Sequence, residues 1–334
     1  MILYLILALK SLILIVSVLI SIAYLTAVER KVMGSIQRRI GPTTVGMYGT
    51  LQPFADALKL FLKEVVLPMF SNRNLFLGAP VVTLTLSFVG WAVIPLDKGV
   101  VISDFSLGIL FLLAVSSLGI YGIVFSGWAA GSKYSLMGSL RSTAQMISYE
   151  VALSLLILCV IFCSGTTSLT GLCEAQKSVF FIIPLAPIAL MFYISMLAET
   201  NRAPFDLPEA ESELVSGFFT EHSAFPFAFF FLGEYGNMIL ISALASFLFL
   251  GGYLLPSTLT DLGSLMPGSI FNGIAIPGLV LGIKVALLLF GFVWVRATFP
   301  RFRYDQLMSV MWKSFLPLGI GFVLLVPSLI ICLV

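Results

Sequence analysis

Charge is scarce in this sequence: Lys, Arg, Asp and Glu make up 10% of 334 residues, against roughly 25% in a soluble domain. That shortage excludes a chain whose surface mostly faces water. Histidine occurs once, as His222. A single histidine cannot supply a two-histidine haem or metal site, so any electron reaching the chain must come from another protein. Cysteine occurs four times, as Cys159, Cys163, Cys173 and Cys332, with no Cys-x-x-Cys pair. Neither a disulfide framework nor a metal site follows from that spacing. An early basic region and a small-residue cleavage motif are also missing near Met1. The first apolar stretch therefore reads as a retained helix rather than a cleaved signal.

What is present is hydrophobic length. Apolar residues make up 59% of the chain and the mean hydropathy is +1.09. Eight segments reach the roughly 20 residues a membrane-crossing helix needs: Ile2–Val28, Leu75–Leu96, Leu107–Trp128, Ala144–Phe162, Val179–Leu197, Phe225–Leu250, Phe271–Val295 and Phe315–Val334. Backbone polar groups in hydrocarbon must be satisfied within the segment, which selects helices or a closed barrel. A barrel would alternate apolar and polar residues, and these runs do not. The expectation is an all-α polytopic protein of about eight spans, one membrane domain over residues 1–334. Bases are distributed unevenly between its loops. Fourteen Lys and Arg fall in loops one, three, five and seven, and only Lys98 and Lys177 fall in the even ones. By the positive-inside rule the odd loops share the side of insertion.

Two loops and two spans carry unusual residues. In loop one, Gly41-Pro42, Gly46 and Gly49 mark turns. Pro53 then opens a helix with Phe54, Leu58, Phe61, Leu62 and Val65 on one face and Asp56, Lys59 and Lys63 on another. That pattern predicts an amphipathic helix at the membrane interface. Loop five holds Glu199, Asp206, Glu209, Glu211, Glu213 and Glu221 against one base, Arg202. Pro204 and Pro208 prevent a continuous helix there, and interleaved Phe205, Leu207, Leu214, Val215, Phe218 and Phe219 point to partial burial rather than a solvated charge run. Glu150 and Glu234 lie within spans four and six. Each should face the bundle interior and a partner, because a charge in hydrocarbon costs at least ~2.5–3.5 kcal/mol. Lys284 in span seven is a candidate counter-charge. Lys10 in span one reads as a snorkelling side chain.

Five stretches carry a resemblance: AVERKVMGSIQRRIGPTTVGMYGTLQPFADALKLFLKE from Ala27, SSLGIYGIVFSGWAAGSKYSLMGSLRSTAQMISYEV from Ser116, LAETNRAPFDLPEAESELVSGF from Leu197, FFLGEYGNMI from Phe230 and VRATFPRFRYDQLMSVMWKSFLPL from Val295. Together they make the chain resemble, along its whole length, the chain 1 family of NADH dehydrogenase, a membrane component of respiratory complex I beside the quinone cavity. The resemblance implies a core subunit of a proton-pumping NADH:ubiquinone oxidoreductase, inactive in isolation. It implies ubiquinone as substrate and no cofactor in this chain, with FMN and iron–sulfur clusters held by partners. Those partners would be peripheral-arm subunits carrying the terminal iron–sulfur cluster, small membrane subunits and antiporter-like subunits. Lipids would surround the chain, nucleic acid would have no part, and the mitochondrial inner membrane is the expected location, with a bacterial plasma membrane as the alternative. It further implies that Glu29, Arg30, Arg38, Arg39, Asp56 and Arg296 line the quinone cavity. Glu64, Glu150, Glu199, Asp206, Glu209, Glu211, Glu213 and Glu234 would form an acidic relay. Ile40 and Thr43 depart from the family pattern around the Gly-Pro turn, as does His222, where tyrosine is common.

Elementary electrostatics is compatible with that division. Two-electron reduction of a quinone creates up to two negative charges, which arginines stabilise without losing their protons. A carboxylate about 8 Å from one new charge feels ~2 kcal/mol at an effective dielectric near 20, enough to favour proton uptake. Two other classes use similar acids: a stand-alone secondary transporter and the membrane component of an energy-converting hydrogenase. Related halves, common in transporters, are not visible in the sequence. A purely structural anchor leaves the intramembrane acids unexplained.

Overall fold

The computed structural model describes residues 2–97, 99–206, 215–255 and 277–333. Among them the regular elements are helices and no strand forms. In chain order they are α1 (Ile2–Ile36), α2 (Gln52–Leu62), α3 (Arg73–Val89), α4 (Gly108–Ala129), α5 (Lys133–Ser164), α6 (Leu169–Ala175), α7 (Ala186–Glu199), α8 (Ala224–Phe249), α9 (Pro277–Thr298), α10 (Tyr304–Val310) and α11 (Leu316–Leu333). A π-helical turn, Met311–Phe315, joins the last two into one span. Seven described helices are long and apolar enough to cross a membrane, and α7 is a shorter eighth. The chain is thus an all-α, multi-pass membrane protein.

Helices α5 and α8 hold the centre: α8 packs against α1, α2, α3, α6, α7 and α9, and α5 against α4, α6, α7, α10 and α11. The C-terminal stretch of α8 from Ile241 to Phe249 is buried without interruption. Helices α1 and α11 are peripheral and leave most of their apolar surface open to lipid or other subunits. Small residues permit close approach in the middle of the bundle, where packing rather than the hydrophobic effect joins helices. A Cβ on Gly127 of α4 would lie 2.0 Å from Ser139 Oγ of α5. One on Gly138 would lie 2.6 Å from the Gly217 backbone. Ser132 caps α5 by accepting from the Ser135 amide, and Gly165, at φ 68°, ends it in the left-handed conformation that glycine favours.

Several expected boundaries move: α3 stops at Val89, with a short turn to Ala92, before the expected Leu96, and the last span begins at Tyr304 rather than Phe315. Four further changes have a local reason. Helix α1 continues past Val28 to Ile36, because nothing in Glu29–Ser35 breaks a helix. Glu29 and Arg30 therefore stand on a helix and not in a loop. Helix α5 begins at Lys133, eleven residues before Ala144, with Ser132 as its cap. Helix α7 begins at Ala186 and not at Val179, because Pro184 and Pro187 lack amide donors and clash with a preceding turn. The backbone ahead of it is paired by other means, including the Ile182 amide on the Phe249 carbonyl at 3.0 Å. Helix α2 ends at Leu62, so Val65 lies beyond the amphipathic helix expected there. Its apolar residues Phe54, Leu58, Phe61 and Leu62 stay exposed, as an interfacial helix requires. The Phe271–Ile276 part of span seven and Val334 of span eight lie outside the described residues.

Candidate functional site

Five side chains from four elements meet at the end of the bundle that carries the odd-numbered loops, its inner end, opposite the outer end at the even-numbered loops. Helix α7 ends at Glu199, and Asn201 (φ 50°) turns the chain back so that the Arg202 amide bonds the Leu197 carbonyl at 3.2 Å. Gln145 of α5 holds this reversal in place, its Nε2 donating to the carbonyls of Ala198 (2.9 Å) and Phe205 (3.0 Å). Arg202 is thereby driven into the core. Its Nη1 lies 3.4 Å from Glu29 Oε1 and its Nε 3.0 Å from Glu234 Oε1. The guanidinium lies 4.2 Å from the Tyr235 ring centroid. The Tyr235 hydroxyl donates to the other Glu29 oxygen, and Arg296 of α9 pairs with Glu29 as well. The Glu29 side chain is only 4% exposed and that of Arg202 9%. Two cations facing two carboxylates leave this cluster near neutral, which permits its burial.

Beside this network lies a cavity of about 120 Å³ enclosed by α3, α4, α5, α7 and α8. Most of its lining is apolar, including Leu112, Ile157, Phe192 and Phe230. Glu150, Glu199 and Glu234 all open onto it, with Ser116, Thr200, Asn201 and Asn237. Glu150 accepts hydrogen bonds from the hydroxyls of Ser116 (3.0 Å) and Ser117. Glu199 is 8% exposed, and its Oε2 accepts from no donor among the described residues. A space of this size has room for water beside the three carboxylates.

A second constellation lies on the surface. Arg30 Nη1 is 2.7 Å from Asp56 Oδ2 with both side chains at least 40% exposed, and Gln52 Nε2 donates to Asp56 Oδ1 at 3.0 Å. Arg39 borders a shallow open pocket with Lys31, Gly41, Thr43 and Tyr48, where the Lys31 ammonium donates to the Tyr48 carbonyl. Arg38 and Ile40 are exposed.

The expected site residues therefore separate into groups. Glu29 and Arg296 join the buried network. Arg30 and Asp56 pair at its edge, while Arg38 and Arg39 stay at the surface. Glu150, Glu199 and Glu234 share the cavity. Asp206 is buried and lies 3.5 Å from Arg301. Glu64 is exposed beyond the end of α2, away from the cavity lining. Glu209, Glu211 and Glu213 lie outside the described residues. In loop five, Phe205, Phe218 and Phe219 are buried while Val215 is exposed. The counter-charge to Glu234 is Arg202, and not the Lys284 anticipated above. Lys284 lies twelve residues before Arg296 on α9, toward the opposite end of the helix.

His222 is buried, stacked on Phe76 (4.0 Å between centroids), with Nε2 2.7 Å from Ser126 Oγ. Burial pushes its ring down to about 4, keeping it neutral at pH 7. Arg202, Tyr235 and Ser117 were not among the expected site residues. Arg202 alone carried a signal, as the single base in an acidic loop.

A family model described as NADH dehydrogenase matches residues 9–327. The chain belongs to the NADH dehydrogenase family. Relatives in this family are similar over nearly their full length. NADH-ubiquinone oxidoreductase chain 1 of Mycosarcoma maydis is 54% identical, covering 97% of this chain and 96% of the relative. The protein of the same description from Chondrus crispus is 52% identical, covering 97% of each. An NADH-quinone oxidoreductase subunit from Rhodospirillum rubrum is 52% identical, covering 98% of this chain and 94% of the relative.

Proposed function

We propose that this chain is the membrane subunit of proton-pumping NADH:ubiquinone oxidoreductase that walls the ubiquinone cavity and passes the effect of quinone reduction to the proton-translocating machinery. Family membership, with near-full-length similarity to chain 1 proteins and to the Rhodospirillum rubrum relative, supports the complex. The observation that carries the finer reading is the cavity onto which Glu150, Glu199 and Glu234 open, joined at Glu234 to the Arg202–Glu29–Arg296 network.

Ubiquinone takes two electrons and two protons to become ubiquinol, and the electrons come from NADH through FMN and iron–sulfur clusters that we assign to partner subunits. This chain contributes binding, orientation and charge. Arg30, Arg38, Arg39 and Arg296 offer positive charge on the quinone side, with Glu29 and Asp56 orienting Arg296 and Arg30. Negative charge arriving beside Arg296 competes with Glu29 for that cation and weakens its hold on the network. Arg202 then shifts its balance between Glu29 and Glu234, and Glu234 exchanges a proton with cavity water, Glu199 and Glu150. Interacting acids titrate as a set, so a change at one is felt by all. Asp206 adds a further buried acid to the series, and Glu209, Glu211 and Glu213, which follow it in sequence, are assigned to the same relay. The location we propose is the mitochondrial inner membrane, with the odd loops facing the matrix. Peripheral-arm subunits would dock on that side, and small and antiporter-like membrane subunits would pack against the exposed helix faces.

The test is Glu234→Gln and Glu199→Gln in the assembled complex. Each keeps size and removes titration. Quinone-linked turnover and protons moved per NADH in sealed vesicles should fall together, with NADH oxidation by ferricyanide unchanged. Normal turnover and proton stoichiometry in the double variant would rule the relay out.

A further inference from the structure

Lys284 has no part in the network above, yet its ammonium is among the most fully engaged groups in the bundle. It projects from the early part of α9 and donates to three main-chain carbonyls: Leu250 (2.6 Å), Gly252 (2.8 Å) and Leu254 (2.5 Å). It also lies 4.9 Å from the Phe180 ring centroid. An ammonium has three donors, and all three are used on carbonyls. None of the ion pairs among the described residues includes it.

Those carbonyls belong to the C-cap of α8, at Leu250, and to the turn that follows it. A helix C-terminus leaves its last carbonyls without intrahelical partners, a heavy cost in hydrocarbon. Here each has a donor. Ser246 O accepts from the Leu250 and Gly252 amides, and Gln176 Nε2 donates to Phe247 O and Leu248 O. The Ile182 amide serves Phe249 O, and Lys284 takes Leu250 O. The turn beyond, through Gly251 (φ 70°) and Gly252 (φ 53°), presents two more carbonyls to the same ammonium. A cation at this position also complements the helix dipole.

We propose that Lys284 is a positioning residue that pins the outer end of α8 to α9 and thereby sets the axial register of Glu234 and Arg296 at the inner end. Leu250 is sixteen residues from Glu234, about 24 Å along α8, and Lys284 is twelve from Arg296, about 18 Å along α9. At the inner end the two helices meet on one side chain, since Glu29 takes both the Tyr235 hydroxyl of α8 and Arg296 of α9. A slip of even a fraction of a turn separates those contacts, because one turn is about 5.4 Å. The functional consequence rests on the relay reading above. The pinning contact itself does not.

Lys284→Arg, Lys284→Gln, Lys284→Met and Lys284→Ala in the whole complex test this. Quinone-linked kcat per assembled complex should fall about fivefold or more in the Met and Ala variants and less in Gln, and stay within about twofold of the parent in Arg. KM for quinone and ferricyanide reduction should hold. The Ala variant leaves a carbonyl-lined space that fits n-propylamine, which replaces the atoms removed. That amine should restore part of the turnover, and 1-propanol, equal in size but lacking the charge, should not. Three results would overturn the proposal: full turnover per assembled complex in Met, Arg behaving like Met, or equal rescue by amine and alcohol. If Met and Ala do not assemble, the Arg and Gln variants decide it, with full turnover in Gln or loss in both counting against. Normal coupling in Glu234→Gln alongside impaired Lys284 variants would instead remove the relay reading and leave the pin standing.

Discussion

Glu29 and Arg30 are neighbours on α1, yet they belong to opposite physical regimes. One step along a helix turns the side chain by about 100°, and here that rotation separates the bundle interior from the membrane interface. Glu29 meets Arg202, Arg296 and Tyr235 almost out of reach of water. Arg30 meets Asp56 with 49% of its side chain exposed. The Arg30–Asp56 pair is shorter than the Arg202–Glu29 contact, 2.7 against 3.4 Å, but distance does not rank their importance. Water screens the first pair and offers each partner an alternative, whereas the second pair lies almost out of its reach. Exposure decides what each pair is worth.

That ranking can be broken experimentally, and the largest effect belongs to the buried cluster. Arg202→Met strands Glu29 and Glu234 beside a single remaining cation, and breaking a buried pair costs about 3–5 kcal/mol. Assembled complex on native gels should drop steeply. Arg202→Lys should rescue it only in part, because a point-like ammonium cannot span Glu29 and Glu234 while stacking on Tyr235. Near-normal assembly in the Met variant would show that the two acids are held protonated and need no cation.

An intermediate effect is expected where a buried group is polar but uncharged. The folded state holds His222 down to about 4, below its ordinary 6.5. The unfolded chain therefore takes up a proton that the buried ring refuses. The stabilisation is fully present above about pH 6.5 and is lost as pH falls toward 4. His222→Phe should abolish this part of the acid sensitivity, seen as a smaller loss of thermal midpoint between pH 7.5 and 5 than in the parent. At pH 7.5 it should cost about 1 kcal/mol, mostly the lost Ser126 hydrogen bond.

The smallest effect on stability should come from the exposed pair. Arg30→Ala should cost less than about 1 kcal/mol and shrink further at high salt. Its influence on activity is a separate matter. Quinone reduction should fall while ferricyanide reduction by NADH is spared, since on the proposed function only the quinone route uses the interfacial face. Equal loss of both activities would reduce Arg30 to a role in assembly.

Much of this arrangement is legible in the chain itself. Hydrophobic length marks the spans, since each must exceed the apolar thickness of a bilayer whatever its neighbours are. The ends of α4 and α8 fall within a residue of expectation because Leu107–Trp128 and Phe225–Leu250 begin and end with the apolar run itself. The ends of α1 and α5 do not. There the helix runs on past the apolar stretch with charged residues aboard, so hydrophobic length alone does not mark its end.

The sequence alone determined the membrane class, the family resemblance and the presence of acids that hydrocarbon cannot tolerate unpaired, because hydropathy, charge placement and motifs are local and additive. Only the tertiary structure decided who pairs with whom. Arg202 and not Lys284 answers Glu234, since the reversal after α7 carries the loop-five base into the core while α9 holds the lysine at the far end. Glu150, Glu199 and Glu234 share one cavity though they lie on three helices, and Glu64, also placed in the relay from sequence, stands outside it. These outcomes depend on helix rotation and axial register, which are fixed by packing between residues far apart in the chain and leave no mark on any single segment.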